Sequence, residues 1–237
     1  MTKARTNASA SPAVGRNMVI NSAMNVAQRS ASVTGIGAAN GYFTIDRYRW
    51  LLSAGAGRLT MSQTADGPNG ISANCLKVDC TTADTSIAAA ERLVLQHKIE
   101  SQNCQRIGKG VAGAKQVTVS FYVKASAAFT FGLEIFQSAH SRQCTKLFDT
   151  TTDWVRHELT FPADVDDGSS PIADDTTEGI VLQFWLHAGA TYTGGTLNTA
   201  AFANNTNANR AVGIDSIFSS TDNNFFITGV QMEVGPV

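Results

Sequence analysis

Apolar and polar residues alternate with a period of two along most of the chain beyond residue 40. This alternation is the pattern of strands that bury one face and expose the other. The clearest runs lie at 117–123 and 129–135, and we predict that they form a hairpin, with Gly132 as a candidate bulge. Further runs lie at 76–78, 93–99, 155–161, 180–186 and 226–234.

These runs give about eight strands and no long amphipathic helix. Two antiparallel sheets packed face to face satisfy the pattern, so we predict an all-β chain, an antiparallel β-sandwich of the jelly-roll type with long loops. We assign residues 41–237 to the jelly-roll domain. Residues 1–40 are rich in Ser, Ala, Asn and Gly without a convincing strand, and we interpret them as an extended N-terminal arm that docks elsewhere; disorder of its extreme end is the alternative.

The charge balance of the chain excludes several partners. Charged residues make up 16% of the 237 residues and the formal net charge is −1, which offers no attraction for nucleic acid or an anionic membrane. The sequence contains no apolar run of membrane-spanning length, and its start lacks the apolar centre of a secretory signal. We therefore predict no nucleic-acid partner, no membrane and synthesis in the cytosol.

The reactive residue types do not form a catalytic motif. The four cysteines contain no C-x-x-C pair, which argues against a zinc knuckle or a redox site and favours free thiols. His97 and His157 are in phase with buried residues, so we interpret them as hydrogen-bonded histidines of a core or interface. With no nucleophile elbow or phosphate loop either, the chain is predicted not to be an enzyme.

Acidic residues crowd the loop that follows the 155–161 run. We interpret Asp164 and its acidic neighbours as solvated turn residues. A structural calcium held by Asp166, Asp167 and Asp174 is the first alternative, because hard oxygen ligands on a loop suit that ion. A paired-carboxylate, glycan-degrading site is the weaker alternative. We predict no other metal and no cofactor.

Three aromatic residues are candidates for glycan contact, because flat apolar rings can stack on the faces of sugars. They are Trp154, Trp185 and Tyr192. Trp154 and Trp185 are out of phase with the apolar residues of their strands, which places them on the less apolar faces. The alternative is a second packing layer or a subunit interface, where such rings concentrate.

Several segments, in a fixed order between residues 17 and 235, resemble a family of bacteriophage virion structural proteins, which includes tail-fibre-like and head-decoration-like components. The segments are NMVINS at 17–22, VAQR at 26–29, GYFTIDRYR at 41–49, KVD at 77–79, TTAD at 81–84, HKIESQN at 97–103, VTVSFYVK at 117–124 and ITGVQMEVG at 227–235. The chain departs from this family at Ser30, where members often carry Gly. The same strands resemble the galactose-binding-like jelly roll of carbohydrate-binding modules.

The resemblance implies a non-enzymatic component of the virion surface, either a head decoration or a short tail fibre, assembled in the host cytoplasm. Its partners would be other phage virion proteins of the capsid or tail. A homo-oligomer is implied, and closed rotational symmetry favours a trimer. The alternative function is a carbohydrate-binding module that recognises a glycan on the host cell surface.

Overall fold

A computed structural model of the chain describes residues 17–53, 55–165 and 171–235. Within these ranges, strands form two six-stranded antiparallel sheets. Sheet A has the spatial order β1 (Ser32–Ile36), β3 (Arg58–Thr64), β4 (Cys75–Thr82), β12 (Asn224–Val234), β6 (Val117–Ala125) and β9 (Val155–Phe161). Sheet B has the order β11 (Ala203–Asn204), β8 (Arg142–Asp149), β7 (Thr130–Gln137), β10 (Glu178–Ala188), β5 (Arg92–Glu100) and β2 (Tyr48–Ser53).

Helical structure is limited to single turns in the described ranges. The α-helical turn α1 is Ala190–Thr193, and 3-10 turns lie at Ser101–Asn103, Gln105–Ile107, Asn207–Asn209 and Ile217–Ser219. Among the helices described, none has the length and apolar character needed to cross a membrane.

The core lies between the two sheets and follows the period-two pattern. Phe121 of β6 and Phe184 of β10 are both fully buried, and their rings meet edge to face at 5.3 Å across the sandwich. Lys124, which is out of phase with Phe121, lies on the outer face of sheet A and pairs with exposed Asp66. The prediction of an all-β antiparallel sandwich is therefore confirmed.

The predicted hairpin of β6 with β7 is wrong. β6 pairs with β12 and β9, whereas β7 pairs with β10 and β8 in the other sheet. The connection at 126–129 thus crosses from sheet A to sheet B. The crossing lets Phe121 and Phe131 both contact Phe148 from opposite sheets, at ring distances of 5.0 and 6.2 Å. Alternation fixes which face of a strand is buried, but it does not fix the neighbour of that strand.

The predicted bulge at Gly132 is also wrong, because Gly132 pairs in register with Leu147 and Trp185. An irregularity occurs instead in β12, between Thr228 and Gln231. Gly229 has a φ of 64° there, a left-handed conformation that glycine adopts without steric cost.

The expectation that residues 17–40 lack a strand is wrong, since β1 pairs with β3 at the edge of sheet A. The backbone of Met18 bonds to that of Met232, and Met24 is fully buried. Asn17 accepts hydrogen bonds from the backbone N–H groups of Val19 and Met232. These contacts make residues 17–40 part of the sandwich. Residues 1–16 of the predicted arm lie outside the described residues, and the docking role stays a prediction.

The long connection between β10 and β12 runs along the edge and the outer face of sheet B. It contains α1, β11 and two 3-10 turns. β11 extends the edge of sheet B beside β8. The chain then turns over the outer face of sheet B, where Arg210 and Ala211 are buried.

Candidate functional site

The outer face of sheet B carries a line of polar side chains across five adjacent strands. Strand register places Arg49 opposite Gln96, Gln96 opposite Gln183, Gln183 opposite Glu134, and Glu134 opposite Thr145. Successive side chains of a strand point to opposite faces, so these five point away from the core. We call Arg49, Gln96, Gln183, Glu134 and Thr145 the polar row.

Hydrogen bonds fix the orientation of the first three members. Arg49 Nη1 donates to Gln96 Oε1 at 2.8 Å, and Gln96 Nε2 donates to Gln183 Oε1 at 3.0 Å. A guanidinium can only donate, so the Gln96 oxygen must face Arg49 and its nitrogen must face Gln183. Gln96 and Gln183 are 5% and 1% exposed, and hydrogen bonds are electrostatically stronger in such surroundings. The row is therefore pre-oriented.

An ion pair covers the row where it crosses β7. The Glu134 carboxylate accepts two hydrogen bonds from Arg210, at 2.9 and 2.8 Å, and one from the Trp185 indole N–H at 2.9 Å. The Arg210 guanidinium also lies 4.8 Å from the ring centroid of Phe136. Arg210 thus forms a wall over β7, while Arg49 and Phe136 remain partly exposed.

Two buried oxygens on β8 lack a hydrogen-bond partner among the described residues. They are Gln143 Oε1 and Thr145 Oγ1, and both side chains are fully buried. Gln143 lies opposite Phe136, so both atoms belong to the same face as the polar row. An unpaired buried oxygen costs free energy, so each would gain from a hydroxyl or amide donor.

Trp185 and Tyr192 lie together at this face, but neither presents a ring to solvent. Trp185 points outward as its phase predicts, and it is fully buried beneath the β10–β12 connection. Its ring centroid is 5.3 Å from that of Tyr192, which is 7% exposed. The structure corrects the glycan-platform hypothesis for these two rings, because they pack as a second layer under Arg210.

Trp154 lies on the opposite side of the sandwich, on the outer face of sheet A. Its partly exposed ring meets Phe226 edge to face at 6.2 Å. Lys124 Nζ lies 5.3 Å from the Trp154 centroid and 4.7 Å from that of Phe226, and it pairs with Asp66 at 2.7 Å. We call these four residues the Trp154 patch. The three predicted aromatic residues therefore do not form one site.

The prediction that Asp164 is a solvated turn residue is wrong. The side chain is buried in a cluster of ion pairs. Its carboxylate lies 2.7 Å from Lys109 Nζ and 2.7 Å from Arg142 Nη2. Burial raises the pKa of Asp164, but hydrogen bonds from Arg142 and Lys109 outweigh burial and hold it below its usual value. The cluster connects the 105–115 segment, the residues that follow β9 and the start of β8. Its role is therefore structural.

The remaining acidic residues give no site in the described ranges. Asp174 is exposed, and Asp166 and Asp167 lie outside the described residues. Where the structure describes the chain, no group of three or more His, Cys, Asp and Glu side chains is placed to hold a metal ion. The calcium hypothesis stays a prediction.

His97 and His157 are hydrogen-bonded to backbone carbonyl groups, as the sequence predicted. His97 Nε2 lies 3.0 Å from the carbonyl oxygen of Ile20, and His157 Nε2 lies 2.8 Å from that of Asp149. The four cysteines are buried and free. Burial raises the pKa of Cys144 to about 11, which keeps its thiol protonated and unreactive.

One histidine network escaped the sequence analysis. His187 Nδ1 lies 2.7 Å from Ser216 Oγ, and His187 Nε2 lies 3.4 Å from a carboxylate oxygen of Glu91. Ser216 Oγ also accepts the N–H of Phe218 as the N-cap of a 3-10 turn. The arrangement resembles a Ser-His-Glu triad in composition only, because its serine is a helix cap.

No protein-family model matches the chain, and no curated protein matches it. Similar solved structures include the carbohydrate-binding module CBM4, with 13% identity, a TM-score of 0.42, and coverage of 91% of this chain and 99% of that one. Another is a family 11 carbohydrate-binding module from Clostridium thermocellum, in complex with a β-1,3-1,4-mixed-linked tetrasaccharide, with 11% identity, a TM-score of 0.40, and coverage of 87% and 96%.

A third similar structure is the enzymatically active domain of tailspike protein 4 from bacteriophage CBA120. The identity is 8% and the TM-score 0.43, and the match covers 92% of this chain but 21% of the tailspike chain. Carbohydrate-binding modules and a phage tailspike domain are thus both among the neighbours. At such identities and TM-scores, the likeness says nothing about what this chain binds.

The sequence carried a partial signal for the polar row. Gln96 and Gln183 alternate with apolar neighbours in runs that were recognised as strands. Their outward orientation could therefore have been predicted from phase alone. That they meet side by side could not, because 87 residues separate them and strand pairing is set by the whole fold.

Proposed function

We propose that this chain is a non-catalytic carbohydrate-binding module whose glycan lies along the polar row of sheet B. The observation that carries this proposal is the row itself: outward-pointing planar polar groups that are pre-oriented on a rigid sheet. Arg49 and Phe136 are the partly exposed residues of this face, and the buried amides of Gln96 and Gln183 hold Arg49 in place. Such an arrangement is suited to a ligand rich in hydroxyl groups.

The chemistry of the row matches that of a sugar. Sugar hydroxyls both donate and accept, and the partly exposed guanidinium of Arg49, oriented by the buried amides of Gln96 and Gln183, offers donors to their oxygens. Phe136 adds a partly exposed apolar ring beside these groups, against which the C–H face of a sugar can pack. Because the amides are already fixed by each other, little side-chain entropy is lost on binding.

Binding to an array of polysaccharides and oligosaccharides, followed by calorimetric titration of the best ligand, tests the proposal. In the Gln183→Ala variant we expect the affinity to fall about tenfold or more, since a buried hydrogen-bonding group is lost. Thermal unfolding of the same variant checks that it is folded. Absence of binding to every glycan, or full affinity in this variant, contradicts the proposed site.

Trp154→Ala is the matched control, because Trp154 lies on the opposite sheet. Its affinity is expected to equal that of the unsubstituted chain. The Trp154 patch is the second candidate location, supported by its partly exposed ring. Loss of binding in Trp154→Ala with full binding in Gln183→Ala would move the glycan to that patch.

A place on a phage particle is compatible with glycan binding and rests on the sequence resemblance alone. We propose it as the setting of the module, with other virion proteins of the capsid or tail as partners. Mass spectrometry of purified particles tests the setting, and sedimentation equilibrium of the purified chain tests the predicted trimer. Particles that lack the chain, or a monomer at all concentrations, would contradict these two predictions respectively.

A further inference from the structure

The polar row carries an uncompensated positive charge at its β2 end. Strand register places three cations at this end: Arg49 lies opposite Gln96, Lys98 is two residues further along β5, and Arg47, which precedes β2, donates to the carbonyl oxygen of Lys98. Arg47 lies 4.0 Å from a carboxylate oxygen of Glu100, and Lys98 forms an ion pair with Glu178. Within the described part of the chain, Arg49 has no carboxylate at ion-pair distance, and its side-chain hydrogen bond goes to the neutral amide of Gln96.

The Arg49 guanidinium is held in place while most of its donors remain available. One Nη atom donates to Gln96 at 2.8 Å. The side chain is partly exposed, and none of its nitrogens is among the buried atoms that lack a partner, so the remaining N–H groups reach solvent. Gln96 is in turn held by Gln183, which fixes the direction of the guanidinium fork.

A fixed guanidinium with free N–H groups matches the two oxygens of a carboxylate, which it binds through two parallel hydrogen bonds. A neutral sugar would use these donors but leave the charge without a counter-ion. Glu100 and Glu178 are the nearby carboxylates, and Arg47 and Lys98 already neutralise them. The anion of a ligand therefore meets a net attraction at Arg49.

We infer that the ligand is an acidic glycan, and that the carboxylate of a uronic or sialic acid unit binds Arg49. This inference rests on the proposed glycan site and names its substrate class. The uronate unit lies at the β2 end of the row, and its neighbouring units extend over Gln96 and Gln183 toward Phe136. A sulfate group shares the charge but not the planar geometry of a carboxylate.

The test uses matched pairs of acidic and neutral glycans on the intact chain: polygalacturonate with its carboxyl-reduced product, sialyllactose with lactose, and sulfated with unsulfated galactan. We expect one carboxylated member to bind on the order of tenfold tighter than its neutral partner, since a charge-assisted pair replaces a neutral one. Its affinity should fall with added sodium chloride. Arg49→Gln should remove the preference, because it weakens binding of the carboxylated member more than binding of the neutral partner, while Arg49→Lys should keep part of the preference.

The outcomes separate this inference from the proposed function. Equal binding of carboxylated and neutral members, with loss of both in Gln183→Ala, overturns the acidic ligand and leaves the glycan site standing. Preference for a sulfated glycan over every carboxylated one overturns the inference that Arg49 binds a carboxylate. Failure of all glycans to bind overturns the site and the inference together. Thermal unfolding of Arg49→Gln close to that of the unsubstituted chain shows that lost binding is not lost folding.

Discussion

Arg210 donates two hydrogen bonds to the carboxylate of Glu134, at 2.9 and 2.8 Å, across 76 residues of sequence. Glu134 is fully buried on β7 and Arg210 is 5% exposed in the connection to β12. This pair fastens that connection to the outer face of sheet B and forms the wall of the polar row. Because both charges are buried, neither can be removed without leaving the other uncompensated.

The first prediction concerns this pair. Arg210→Met should lower the free energy of unfolding by about 3–5 kcal/mol, because it leaves the Glu134 carboxylate buried without its cation. The double variant Glu134→Gln, Arg210→Met should recover much of that loss, since no buried charge remains. Urea unfolding of the two single variants and the double variant measures the coupling. A loss below about 1 kcal/mol in Arg210→Met, the range of exposed ion pairs, would show that the pair is effectively solvated.

The second prediction concerns how the free energy of unfolding changes at acidic pH. The pKa of Asp164 is held below its ordinary value of 3.8, where hydrogen bonds from Arg142 and Lys109 outweigh the effect of burial. The unfolded state therefore binds the proton first, and the stabilisation is present above pH 3.8 and lost as the pH falls below it. Urea unfolding between pH 7 and pH 2 should show this loss. Asp164→Asn should be less stable at pH 7 and should lack this part of the slope; an unchanged slope would contradict the assignment.

The third prediction concerns His97. Its titration also lowers stability as the pH falls, but over a different pH range. Burial lowers the pKa of His97 from 6.5 to about 4, although the bond to the Ile20 carbonyl opposes the shift. Between pH 6.5 and about 4, His97 binds a proton in the unfolded chain but not in the folded chain. The free energy of unfolding therefore falls by about 3 kcal/mol as the pH is lowered across this range. In His97→Gln, the amide can still donate to the Ile20 carbonyl. Urea unfolding of this variant should show a free energy of unfolding that lacks this part of the pH dependence.

His187 also has a pKa lowered by burial, opposed by Glu91, so His97→Gln should not abolish the slope between pH 6.5 and 4 completely. A His187→Gln variant is the matched control for the remaining share. If the stability of His97→Gln follows that of the unsubstituted chain throughout the window, His97 takes up its proton in the folded protein too, and burial does not lower its pKa.

Much of the fold followed from side-chain phase. The positions of Phe121, Phe184 and Leu95 in their runs fixed which strand faces are buried, and the outward direction of Trp185 followed in the same way. Phase is a local property, because successive side chains alternate whatever the strand pairs with. Two layers and antiparallel sheets could therefore be predicted from the sequence.

The site itself depended on properties that are not local. The hairpin prediction failed because phase gives no information about which sheet a strand joins. The polar row needs five strands in register, and the burial of Trp185 needs Arg210 and Tyr192, which arrive from a connection without periodicity. Phase placed Trp154 and Trp185 on the outer faces of their sheets, but it did not show that Trp185 lies beneath the Arg210–Glu134 ion pair.

The last prediction compares how much Trp185 and Trp154 contribute to the free energy of unfolding. Trp185→Phe removes the indole N–H that donates to Glu134 at 2.9 Å inside a fully buried site, so we expect a loss of about 1–3 kcal/mol in the free energy of unfolding. Trp154→Phe keeps an aromatic ring beside Lys124 at a partly exposed position, so its change should stay within about 0.5 kcal/mol. Urea unfolding of both variants under one condition gives the comparison. Equal effects would mean that the hydrogen bond from Trp185 to the Glu134 carboxylate adds nothing measurable to the free energy of unfolding.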